Sequence, residues 1–102
     1  MLLYEINNMM KRNGRKERVL MMKYVVSPSE LDNIYTFLSE LSDETAGSVR
    51  VAIRRTERPY ERNYPTDPDA PIGSLAFILF KSDAAWFKEN CLNRLYKPIN
   101  TT

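Results

Sequence analysis

The run Gly73-Ser74-Leu75-Ala76-Phe77-Ile78-Leu79-Phe80 constrains this chain more than any other stretch. It is the longest apolar run and is rich in aromatic and branched residues. It opens on a glycine and closes at Lys81-Ser82, which predicts a central β-strand. Successive strand side chains point to opposite faces. Ala76, Ile78 and Phe80 therefore share one face, and Leu75, Phe77 and Leu79 share the other. Both sets are apolar, so one face must lie under helices and the other must meet something else.

The rest of the chain supplies the layers. Val19 to Val26 reads as a strand. Ser27-Pro28-Ser29-Glu30 is a helix start, in which Ser27 caps, Pro28 suits the first turn and Glu30 closes a capping box. Leu31, Ile34, Tyr35, Leu38 and Leu41 then fall on one helical stripe, and Ser42 to Gly47 ends the helix. Ser48 to Arg55 alternates, with Val49, Val51 and Ile53 on one side and Arg50, Ala52 and Arg54 on the other, which predicts a half-buried strand. Residues 56–72 form a long connector containing Pro59, Pro65, Pro68 and Pro71. A second helix is expected from a Ser82 cap, with Ala84, Phe87, Cys91 and Leu95 inward and Trp86 and Leu92 widening the stripe. Tyr96 to Ile99 reads as a short last strand weakened by Pro98.

Residues 1–18 stand apart as a basic extension. Leu2, Leu3, Ile6, Met9 and Met10 fall at helical spacing, and Asn13-Gly14 would stop such a helix. A second reading makes residues 1–20 a start-site extension, with Met21-Met22 the natural beginning. The expected organisation is an extension over 1–18, one domain over 19–99 and a tail over 100–102. The order is strand, helix, strand, strand, helix and a closing strand. That is a ferredoxin-like split β-α-β-β-α-(β) fold of the α+β class: an antiparallel sheet with two helices on one face. In that arrangement Ala76, Ile78 and Phe80 lie beneath the helices with Val49, Val51 and Ile53. Leu75, Phe77 and Leu79 then lie on the open face beside Arg50 and Arg54.

Composition narrows the chemistry. The chain has 102 residues, one cysteine and no histidine. That removes the commonest general base and transition-metal ligand. One thiol allows no internal disulfide and fits a reducing compartment. No glycine-rich phosphate loop, zinc-ligand pair or nucleophile–base pair can be assembled. Asp67 and Asp69 are only two carboxylates in a Pro-rich loop, better explained by turn chemistry than by a cation. The expectation is a non-enzyme without cofactor or metal. No apolar run approaches the ~20 residues that span a bilayer. Glu5 breaks the pattern of an export signal, so a cytoplasmic protein is expected. The net charge of +2 is strongly segregated. Lys11, Arg12, Arg15, Lys16, Arg18 and Lys23 crowd the first segment. Glu30, Asp32, Glu40, Asp43 and Glu44 follow without a cation. Arg50, Arg54, Arg55, Arg58 and Arg62 come next. Fields of this kind steer partners.

In pattern, residues 19–96 resemble the RNA-recognition-motif family. That family's third strand carries Lys/Arg-Gly-Phe/Tyr-Gly/Ala-Phe-Val-x-Phe/Tyr. Gly73 to Phe80 aligns with it without gaps: Ala76, Phe77 and Phe80 match and Ile78 is close. Ser74, Leu75 and Gly73 depart from it, replacing the glycine, the first stacking aromatic and the cation. The resemblance implies that Phe77 stacks on a base and that Arg50 and Arg54 stand on the neighbouring strand. The family's first strand turns an aromatic to the ligand. Here Tyr24 could take that place only if Lys23 turned inward, so Tyr24 is read as core.

Two functional readings follow. The first is a small regulatory module binding RNA or single-stranded nucleic acid through the open sheet face and a basic Tyr/Arg loop. Its residues are Arg50, Arg54, Arg55, Arg58, Tyr60, Arg62, Tyr64 and Phe77, which pair arginines with stacking aromatics. The second is a protein-binding module or inhibitor, of the kind a phage uses against a host complex, with Leu75, Phe77 and Leu79 as the interface. A homodimer through the same face is compatible with either. Cys91, four residues after Phe87, is read as a packing residue.

Overall fold

A computed structural model of the chain describes residues 2–12, 15–61 and 73–96, with side chains from residue 20 onward within those ranges. It is a mixed α+β fold. Strand β1 (Leu2–Arg12) and strand β2 (Arg15–Val26) form a hairpin, followed by helix α1 (Pro28–Glu40) and helix α2 (Glu44–Thr56). The short strand β3 (Arg58–Pro59) leads to β4 (Leu75–Phe80). Helix α3 (Lys81–Phe87) continues through a π-helical turn, Lys88–Leu92, into α4 (Asn93–Leu95). The strands pair antiparallel in the order β1-β2-β4-β3.

Local chemistry accounts for the clearest elements. Ser27 caps α1: its hydroxyl accepts from the Glu30 N–H at 3.2 Å, and the Glu30 carboxylate accepts from the Ser27 N–H at 2.9 Å. The expected capping box is present. Gly73 takes a φ of +85°, which favours a residue without a Cβ, and turns the chain into β4. The Ser74 carbonyl then accepts from the Tyr60 N–H at 2.9 Å, extending the β3–β4 pairing by one bond.

Two expected elements are replaced. Residues 48–55 lie in helix α2, so the split strand–helix–strand order does not hold for the described chain. Asp43 caps α2 by accepting from the Thr45 N–H at 2.8 Å, and Ala46, Val49 and Ile53 make a buried helical stripe. Val51, inward in the strand reading, is 48% exposed. Residues 2–12 are a strand rather than a helix, because they pair with Arg15–Val26 from Leu2↔Val25 to Arg12↔Arg15. Ser82 does not cap α3; Phe80 holds that position without a side-chain bond. Beyond Tyr96 the expected last strand lies outside the described residues.

The core sits between one face of the sheet and the helices. Tyr24 and Val26 of β2 and Phe77 and Leu79 of β4 meet Ile34 and Leu38 of α1, Val49 and Ile53 of α2, and Phe87 of α3. Tyr24 stacks on Phe77 with ring centroids 4.9 Å apart, and Phe87 presents an edge to both, at 5.3 Å and 5.9 Å. Tyr24 is core, as expected. The alternation of β4 is as expected, but its faces are reversed: Leu75, Phe77 and Leu79 pack with the helices. They carry more volume than the set containing Ala76, so the thicker layer of the core takes them. Among the described residues, no helix is long and apolar enough to cross a membrane.

Candidate functional site

The reversal leaves a different set of side chains on the other face of the sheet, which among the described residues is helix-free apart from the end of α2 at its edge. Register and alternation place Met21, Lys23 and Val25 of β2 beside Phe80, Ile78 and Ala76 of β4. Val25 and Ala76 are buried in a small cluster with Tyr60 packed against it. Phe80 remains 48% exposed. Beside that cluster lies a groove of about 500 Å³ lined by Lys23, Thr56, Arg58, Pro59, Tyr60, Glu61, Ala76 and Ile78.

Each wall of this groove has a local cause. The Lys23 ammonium stands 5.0 Å from the Tyr60 ring centroid, a cation–π contact that orders both side chains. Arg58 and Pro59 pair with Ala76 and Leu75, and Pro59 itself donates no hydrogen bond to the ladder. Further along β4, Thr56 takes over at this edge. Its Oγ1 accepts from the Ile78 N–H at 3.0 Å and lies within bonding reach of the Ala52 and Ile78 carbonyls at 2.9 Å and 3.2 Å. The last residue of α2 thus closes the edge of the sheet and lines the groove. Among the described residues, no carboxylate forms an ion pair with Lys23 or Arg58.

The structure divides the residues expected to form one site. Arg58 and Tyr60 belong to the sheet-face groove. Arg50 and Arg54 lie on helix α2, in a second groove of about 370 Å³ with Tyr35, Ser39 and Val51. There Arg50 Nη1 donates to Ser39 Oγ at 2.9 Å, and the Arg54 guanidinium lies 5.9 Å from the Tyr35 ring centroid. The Tyr35 hydroxyl is buried beside the Glu57 carboxylate and the Arg54 guanidinium. Its burial, and then the neighbouring Glu57 carboxylate, push it up to about 12, so it carries its proton at neutral pH. Arg55 is exposed on α2. Arg62 and Tyr64 lie outside the described residues. Phe77 cannot stack on a base: it is 0% exposed, in the aromatic core with Tyr24 and Phe87. Leu79 likewise is buried in the core, and half-buried Leu75 packs against it.

A third groove, of about 390 Å³, is mainly apolar and joins Met22 and Tyr24 of β2 to Ala84 and Leu92, with Lys81 and Lys88 at its rim. Cys91 is fully buried, and burial pushes its thiol up to about 12, which makes it a packing residue rather than a nucleophile. Among the described residues, no three metal-ligating side chains of the His, Cys, Asp or Glu type come together.

Phe80, Lys23 and Thr56 were missed as site residues, although one signal for Lys23 was readable. If Tyr24 is core, strand alternation sends Lys23 to the other face. Chemically this face offers an exposed aromatic ring, a second ring held by a cation, and two cations that form no ion pair among the described residues, with Glu61 lining the same groove. Rings and cations of this kind are able to stack on flat rings and pair with anions. Comparison with family models, curated proteins and solved structures finds no match.

Proposed function

We propose that this chain is a small, non-catalytic cytoplasmic module that binds RNA or single-stranded nucleic acid through the helix-free face of its sheet. The observation that carries this reading is the pairing of exposed Phe80 with the Lys23–Tyr60–Arg58 groove on that one face. Phe80 supplies a ring for a base, and Lys23 and Arg58 supply charge for the phosphates beside it. Base–aromatic stacking is worth about 1–3 kcal/mol per base, and its tolerance of sequence suits a short platform.

Fluorescence polarisation with short single-stranded RNA and DNA tests this. Phe80→Ala and Lys23→Glu should each weaken binding by about tenfold or more. Neither should unfold the protein, since Phe80 is half exposed and Lys23 lies on the helix-free face. No binding at low salt by the folded protein, or binding indifferent to both substitutions, would refute the reading. A second reading, a protein-binding module, is favoured by the apolar groove of Met22, Tyr24, Ala84 and Leu92. It predicts a protein partner retained after nuclease treatment and lost in Ala85→Glu, at an exposed position of the same groove.

A further inference from the structure

The register of the sheet leaves a basic ribbon outside its body. Strand β2 pairs with β1 along its whole length but with β4 only over residues 21–26. Residues 7–12 of β1 and 15–20 of β2 therefore form a two-stranded ribbon, and among the described residues no other strand pairs with it. At the rise of an extended strand it is about 20 Å long. Lys11 and Arg12 belong to one strand and Arg15, Lys16 and Arg18 to the other, against one carboxylate, Glu17. The whole chain has a net charge of +2, less than that of the ribbon, so the rest of it is acidic on balance. Register also sets Lys11 opposite Lys16 and Arg12 opposite Arg15. Like charges directly opposite each other destabilise a ladder. Two such pairs in succession work against the ribbon, and a bound polyanion offsets their repulsion.

Shape and charge together select the polyanion. The major groove of B-form DNA is about 12 Å wide and admits a two-stranded ribbon. Phosphates line both of its walls, and the ribbon has cations on both of its strands. A length of about 20 Å matches roughly six base pairs at ~3.4 Å each. The major groove of duplex RNA is deep and too narrow for side chains to read. A single strand offers one line of phosphates, not two. Duplex DNA fits the width, the length and the two-sided charge.

We infer that residues 7–12 and 15–20 form an arm that enters the major groove of duplex DNA, with Lys11, Arg12, Arg15, Lys16 and Arg18 as its phosphate contacts. Contacts to phosphates position a protein without choosing a sequence, so the arm is tolerant of sequence. This goes beyond the sheet-face reading and does not depend on it, because the arm and the Lys23 groove use different lengths of β2. The test is fluorescence polarisation of the full chain with a DNA duplex of about 20 base pairs and an RNA duplex of the same sequence, across a salt series. The DNA duplex should bind about tenfold tighter than the RNA duplex. Each phosphate contact on a duplex adds about 0.9 to the slope of log K against log salt, so Lys11→Gln with Lys16→Gln should flatten it by about 1.8. That variant loses a like-charge pair and should melt no lower than the parent. Arg18→Gln, at the position opposite Met9 and outside both like-charge pairs, should flatten the slope by about 0.9 and keeps the test open if the first variant melts early. Lys88→Gln with Arg94→Gln removes two cations from exposed positions outside the ribbon and should leave the slope unchanged. Absence of binding to the DNA duplex at low salt, equal affinity for the RNA duplex, or an unchanged slope in the ribbon variants would each overturn the inference. Equal flattening in the Lys88 and Arg94 variant would overturn it too, since the duplex would then follow the charge of the molecule at large.

Discussion

Phe77 and Phe80 lie three residues apart on one strand and meet opposite environments. Phe77 is wholly buried against Tyr24 and Phe87, whereas Phe80 is 48% exposed at the end of the strand. Truncating a buried phenylalanine costs about 3–5 kcal/mol through lost transfer energy and a cavity. Truncating one at the surface usually stays within about 0.5 kcal/mol. Urea denaturation should therefore show Phe77→Ala close to unfolding and Phe80→Ala nearly as stable as the parent. The reverse order would mean that the faces of β4 are not as described. The sequence made the alternation legible but not the choice of face, because Leu75, Phe77 and Leu79 and the opposite trio are both apolar. What decides is volume: three large side chains fill the layer beneath the helices better than a trio containing Ala76. Tyr24 carried the missing information, since a buried tyrosine with Lys23 beside it fixes which face of β2, and hence of β4, turns inward.

At the scale of elements, α1 was legible and α2 was not, for the same physical reason. Signals that act within one turn, such as the reciprocal bonds of Ser27 and Glu30, do not depend on what packs later. Between Val49 and Ile53 two periods coexist. Val49, Val51 and Ile53 fit a strand, while Ala46, Val49 and Ile53 fit a helix. The Asp43 cap and the helical stripe settle it, and Val51 becomes the exposed odd member. The helix brings a benefit that a strand could not: it ends at Thr56, whose hydroxyl satisfies the edge of β4 beyond the short β3. Thr56→Val keeps the shape and removes the hydroxyl, leaving the Ile78 N–H without its acceptor. The cost should be about 1–3 kcal/mol, with faster amide exchange at Ile78, and Thr56→Ser should restore much of both. A valine variant with full stability and an equally protected Ile78 amide would show that water or another group serves that edge.

On the scale of the whole molecule, a net charge of +2 understates what a polyanion would meet. The exposed carboxylates Asp32 and Glu40 lie on α1 and Glu44 opens α2, while Arg54 and Arg55 close α2 and Arg58 follows. Acidic residues at the start of α2 and basic ones at its end also follow the helix dipole, so the segregation strengthens the element that carries it. The sheet face adds Lys23 to the same positive end through the groove it shares with Thr56 and Arg58. Charges farther from a bound strand than a Debye length, about 8–10 Å, are screened at ordinary salt and contribute little to it. Cations that touch phosphates act differently, because each releases condensed counterions. For a single strand each such contact steepens log K against log salt by about 0.7. If Lys23 and Arg58 both hold phosphates, replacing them with glutamine should flatten that slope by about 1.4. Lys88→Gln, at the rim of the apolar groove, should leave the slope where it was. A salt series on the three proteins separates contact from field. Equal flattening in Lys88→Gln would mean that the strand follows the charge of the molecule at large, and an unchanged slope in the Lys23 and Arg58 variant would take the phosphates off the sheet face.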